Sequence, residues 1–149
     1  MNIDNLTPIE LEEKFQKFLL NIDGYIENLR SKAENENLKL DMSLNSLNDL
    51  ETYSSKTNIA VDIDHYTDVA AYLGELVRKE FGGKWICCLD KENNPAYYGF
   101  PVIEGHAPEG VLFAPFFVVE AFLLREKKSL FLNAIKIQVG ANRIDWSKF

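Results

Sequence analysis

Residues 7–10 read Thr-Pro-Ile-Glu, and behind them Leu11, Phe15, Phe18, Ile22, Ile26 and Leu29 recur at steps of three and four. The Thr7 hydroxyl can accept from the backbone N–H three residues on, and Glu10 can reach back to the N–H of Thr7. Pro8 gives up only an N–H that a helix start leaves unused. The spacing places the six large side chains on one helical face. A helix over about residues 8–33 is therefore predicted, with an apolar stripe that the rest of the chain or a second copy must cover. Gly24 sits inside it at a cost of about 1 kcal/mol against alanine.

The remaining pattern alternates between helix and strand. Ala33 to Asp41 is a polar connection. A second helix is expected after Ser43, with Leu44, Leu47, Leu50 and Tyr53 spaced by three. Ile59, Val61 and Ile63 alternate within 53–64, as either a brief edge strand or an extended linker. A third helix follows, capped by Asp64 or Thr67, with Val69, Ala70, Leu73, Leu76, Val77 and Phe81 as its stripe. Gly82-Gly83 stops it, because glycine takes the left-handed conformation freely. Lys84 to Asp90 then reads as a strand, Lys91 to Pro95 as a turn, and Ala96 to Ile103 as a second strand closing a hairpin. Pro101 removes a ladder donor, so that strand should lie at an edge there or bulge. Glu104 to Gly110 is a loop, Val111-Leu112-Phe113 a short strand, and Pro115 opens a helix from about Phe116 to Lys127. Ser129 is expected to cap a last helix, Leu130 to about Gln138. In the tail from Gly140, Ile144, Trp146 and Phe149 are expected to pack back. The order predicts an α+β fold: N-terminal helices, a small mostly antiparallel sheet after the third helix, and C-terminal helices.

A chain of 149 residues is expected to form one domain (1–149), since about 150 residues bury roughly 70% of their extended surface without any staple. Its charge divides it. Residues 1–64 hold 13 acids and 6 bases, a balance of −7, while residues 65–149 hold 10 of each. The acidic helical portion thus carries the whole net charge, and the helix-hairpin-helix portion none. An acidic chain lacks the electrostatic footprint of a nucleic-acid or anionic-membrane binder. Met1 to Leu6 shows no secretory pattern, and the longest apolar run, Val111 to Val119, is broken by Pro115 and far short of a span. A cytoplasmic location is expected, and the adjacent Cys87 and Cys88 fit a reducing compartment.

Chemistry-bearing residues are sparse. Neighbours on a strand point to opposite faces, so Cys87 and Cys88 cannot converge on one metal. With no Cys-x-x-Cys and only two histidines, no metal or cofactor site is expected. One cysteine should be core and the other covered by a helix. His106 lies between Glu104 and Glu109 in a Gly- and Pro-rich loop. An imidazole beside carboxylates is how acid–base sites are built, and it is also what an exposed turn looks like. His65, next to Asp62 and Asp64, marks a helix start. The aromatic residues Tyr97, Tyr98, Phe100, Phe113, Phe116 and Phe117 are expected mostly in the core. Phosphate loops, dinucleotide fingerprints, nucleophile elbows and zincin motifs are absent from the sequence.

Ala71-Tyr72-Leu73-Gly74-Glu75, followed by Phe81-Gly82-Gly83-Lys84-Trp85, resembles a helix-to-strand passage in small bacterial proteins, some of them similar to immunity proteins of polymorphic toxins. The resemblance covers about 15 residues and implies no catalytic group. Physically, Gly74 would let a ring or backbone come close, and Glu75 would accept from the indole N–H of Trp85 or cap a neighbouring backbone. The resemblance implies a protein that binds and occludes a partner, a basic toxin among the candidates. Acidic residues would raise its association rate, and self-association is a further option. The alternative is a small-molecule enzyme or ligand-binding domain centred on Glu104–Glu109. Glu75, Trp85, Glu104, His106 and Glu109 are the candidate contacts. A deep pocket collecting His106, Glu104 or Glu75 would favour the alternative, and a flat acidic surface with exposed aromatics the first reading.

Overall fold

In the computed structural model, which describes residues 3–57, 63–140 and 143–149, α1 (Pro8–Asn35) starts at the capping box. Thr7 and Glu10 exchange both of the expected bonds. Leu11, Phe15, Phe18, Ile22 and Leu29 are buried and Ile26 is half-buried, so the stripe is covered within the chain. The helix ends two residues later than expected. Asn37 takes positive φ, and the N–H groups of Asn37 and Leu38 donate back to Glu34 and Ala33. Asparagine here does what glycine usually does.

The second helix, α2 (Ser46–Lys56), buries Leu47, Leu50 and Tyr53. The third, α3 (Ile63–Phe81), lies against α1 and is its main packing partner. It starts earlier than expected: Asp64 and Thr67 lie within it, so neither caps it. The alternation at Ile59 and Val61 falls outside the described residues, as does Asp62. Seven consecutive residues of α3, Asp68 to Gly74, are buried. Such a helix is enclosed on more than one side, here by α1 and by α4.

Gly82 and Gly83 both adopt positive φ, and the chain turns directly into β1 (Lys84–Cys87). This strand pairs antiparallel with β2 (Pro101–Glu104), with Trp85 opposite Ile103 and Cys87 opposite Pro101. The expected second strand is cut short: Pro95–Tyr97 is a single 3₁₀ turn, and Gly99 turns at positive φ. Proline at 95 and 101 confines the strand to Pro101–Glu104, with Pro101 at its first position, where the missing N–H matters least. Strand pairing at 84–90 likewise ends early: beyond Cys87 only Cys88 still bonds across the hairpin, its N–H donating to the Phe100 carbonyl and its carbonyl accepting from Gly99. Val111–Phe113 contributes one bridge, Phe113 to Ile103, in place of a third strand.

The chain finishes with α4 (Pro115–Arg125) and α5 (Leu130–Val139). Buried side chains from all five helices meet in one cluster. The expected Ser129 cap is not made. Ser129 sits at positive φ and its side chain makes no capping bond, because a carboxylate from α2 occupies that position. In the tail, Ile144 and Trp146 pack on the core while Phe149 stays exposed. The architecture is α+β, with the small antiparallel sheet after the third helix.

Candidate functional site

The helix-to-strand junction is built around Trp85. A Cβ at position 74 would overlap the indole atoms Cη2 and Cζ2, so only glycine lets the ring lie on α3. The ring also meets Phe18 of α1 edge-on, with centroids 5.1 Å apart. Its Nε1–H donates to Glu75 Oε2 at 3.2 Å. The same carboxylate accepts from Arg78 Nε at 2.7 Å and Nη2 at 3.0 Å. Glu75 is thereby committed: three donors use its two oxygens. Trp85 is half-buried rather than enclosed, with the Cη2–Cζ2 rim of the indole against α3 and Phe18 of α1 beside it.

His106 is placed differently from a reactive loop histidine. It is 1% exposed and stacks edge-on against Phe113. Gln138 on α5 donates its amide N–H to the Leu112 carbonyl at 2.8 Å, which turns its Oε1 toward His106 Nε2 at 2.6 Å. The network therefore assigns the proton to Nε2. Arg143 closes the arrangement by donating to the carbonyls of His106 and Phe81, both at 3.3 Å. The loop is held to the end of α3 and to α5.

Glu104 and Glu109 do not join His106. Glu104 pairs with Lys84 across the hairpin at 3.6 Å, and Glu109 is exposed. Both line an open depression with Gly83 and Gly105, and His106 is outside it. Glu75 bonds to Arg78 and Trp85, and none of these hydrogen bonds reaches that loop. The five candidate residues thus fall into three groups, Glu75 with Trp85, Glu104 with Glu109, and His106 apart from both, and no pocket among the described residues collects them.

The cysteines point apart as strand geometry requires. The Cys87 thiol faces the Leu11 carbonyl of α1, and Cys88 is buried with Val102 and Ala114. Burial chiefly, with Glu12 and Cys88 nearby, pushes the Cys87 thiol up to about 11. A thiol so held is protonated and a poor nucleophile at neutral pH. No group of three His, Cys, Asp or Glu among the described residues could hold a metal ion.

Sequence reasoning passed over one polar cluster. Between α1 and α3, Asn28 Nδ2 donates to Asp68 Oδ2 at 2.7 Å, and Lys32 Nζ meets His65 Nε2 at 2.7 Å. Asp68 is 2% exposed, and burial holds its carboxyl above the usual range against the pull of Asn28, Lys32 and His65. The available signal was His65 and Asp68 three apart on one helix, which alone does not identify partners on α1. The six aromatic residues of 97–117 are buried or half-buried. Phe100 and Tyr97 both pack edge-on against Phe117.

The outer surfaces carry what the interior does not absorb. On α1, Ile9, Glu13, Gln16, Leu20, Asp23 and Glu27 follow at steps of four and three, and all are exposed. Ile9 is 73% and Leu20 83% exposed. They are eleven residues apart, about 20° from three full turns, so they stand on one line of the helix.

No family model matches this chain, and no curated protein and no solved structure matches it either. Among the described residues no helix is long and apolar enough to cross a membrane.

Proposed function

We propose that this chain is a protein-binding module that acts by covering a partner's surface, as an immunity-type inhibitor does, with no chemistry of its own. The observation that carries the reading is the outward stripe of α1. Two large aliphatic side chains, Ile9 and Leu20, stand in solvent on one line with Glu13, Asp23 and Glu27. Apolar anchors ringed by charge are the composition of a contact patch. The acids select a basic partner and speed its approach. A basic toxin encoded beside this chain is the partner of choice.

The test is co-expression with the product of each flanking gene. A 1:1 complex that suppresses that product's toxicity supports the reading. Reversing Glu13, Asp23 and Glu27 to lysine should slow association about tenfold or more at low salt, and much less at high salt. Absence of a complex with either flanking product, or full protection by the reversed variant with unchanged association rate, would sink it.

A further inference from the structure

The two C-terminal helices are apolar on more faces than the fold covers. Across α4 the polar residues are Glu120 and Arg125, and across α5 they are Asn133, Lys136 and Gln138. A helix that is apolar nearly all round is normally covered all round. Here Phe116, Val119 and Phe122 of α4 and Phe131, Ile135 and Val139 of α5 face the core. The other side lines an open groove of ≈ 400 Å³, with Phe117, Val118, Ala121, Leu130, Ala134 and Ile137 along it. Ile137 on its wall is 83% exposed, and Leu124 on α4 is 79% exposed. Arg125 and Lys127 are the charged residues lining the groove, and both are cations.

The occupant that fits is a helix carrying apolar side chains and carboxylates on one line. This chain presents such a helix on its own surface, the outward stripe of α1. The lengths agree as well. Ile9 and Leu20 are eleven rises apart, about 16 Å, and α4, of 11 residues, is about 16 Å long. We infer that the α4–α5 groove of one copy receives the α1 stripe of a second copy, with Ile9 and Leu20 over the apolar floor. Glu13 and its neighbouring acids then lie toward Arg125 and Lys127. The contact is head-to-tail: each copy offers both surfaces, so association closes into a ring or continues as a chain. It does not rest on the reading above, although both use α1. Self-association would hide the stripe from a foreign partner until dilution or a tighter partner released it.

Sedimentation of the full chain at low and high ionic strength is the test. Wild type should sediment as a species larger than the monomer at low salt, its apparent affinity falling about tenfold or more at high salt. A groove-reversed variant (Arg125→Glu with Lys127→Glu) and a stripe-reversed variant (Glu13→Lys with Asp23→Lys) should each be monomeric. Mixing the two should restore assembly, because each reversed surface now meets its complement. Circular dichroism checks that both variants are folded. A groove-reversed variant that still binds a flanking-gene product separates this contact from partner binding. A wild-type chain monomeric at high concentration in low salt overturns the inference. So does assembly that neither reversal weakens, or two monomeric variants that fail to assemble when mixed.

Discussion

The carboxylate of Glu51 on α2 accepts the backbone N–H of Phe131, 80 residues away at the start of α5, at 3.0 Å, and that of Ser129 at 2.8 Å. A helix start leaves its first N–H groups without partners, and a carboxylate there also meets the positive end of the helix dipole. Glu51 is 7% exposed, so these bonds form away from competing water. Glu51→Ala should destabilise the chain by about 2 kcal/mol, the range of charge-assisted hydrogen bonds. Glu51→Gln, which keeps one acceptor, should cost roughly half of that. Urea unfolding of the two variants measures both. Equal stability of Glu51→Ala and wild type would show that α5 needs no cap from α2.

Gly74 and Trp85 are expected to be coupled. Gly74→Ala should cost about 1–3 kcal/mol, since the new methyl overlaps the indole. In a Trp85→Leu background the same change should cost about 1 kcal/mol less, because the overlapping atoms are gone. A double-mutant cycle with strictly additive effects would contradict the contact.

The two glycines of the turn should respond unequally. A Cβ at Gly82 meets nothing within 4 Å, whereas one at Gly83 overlaps the Glu104 carbonyl oxygen and comes within 3.0 Å of the His106 N–H nitrogen. Gly82→Ala should cost about 1–2 kcal/mol from left-handed strain alone. Gly83→Ala should cost about 3 kcal/mol or more, as overlap adds to strain. Thermal denaturation ranks them, and the reverse order would mean the hairpin is not seated on Gly83.

Cys87 should label slowly. With its thiol near 11, its thiolate fraction at pH 8 is about a hundredfold below that of a thiol of ordinary pKa near 9. Timed alkylation followed by mass spectrometry reads this. Labelling at the rate of a free thiol in the native protein would refute the burial of that side chain by α1.

Asp68 imposes a pH dependence of definite sign. Burial raises its carboxyl pKa in the folded chain. The group therefore favours folding most below its unfolded pKa of about 4, and that contribution is lost as pH rises through the higher folded value. Asp68→Asn has no charge to bury and can still accept from Asn28. Its stability relative to wild type should rise between pH 3 and pH 7. A difference that stays constant, or falls, would indicate that Asn28, Lys32 and His65 at least offset the burial.

The sequence by itself determined the local elements whose cause is local. The Thr7–Glu10 box starts α1, a stripe at steps of three and four buries Leu11 to Leu29, and Gly82-Gly83 turns the chain into a strand. These follow from backbone sterics and periodicity within a few residues. The pairing of Trp85 with Glu75 was also legible, because both ends of the bond lie within one helix-to-strand passage. Tertiary structure decided what depends on distant partners. Ser129 had the composition of a cap and did not act as one, because Glu51 arrives from α2. Residues 96–103 had strand composition, and only 101–103 pair as strand: Pro95 and Pro101 limit the ladder locally, while Tyr97 and Phe100 pack against Phe117 of α4. His106 lay in a loop by every local rule and became buried, because Gln138 and Arg143 reach it from the C-terminal 12 residues. Local rules assign conformation to a segment. Which side of that segment meets solvent is settled by the segments that pack on it, and those contacts leave no short-range mark in the chain.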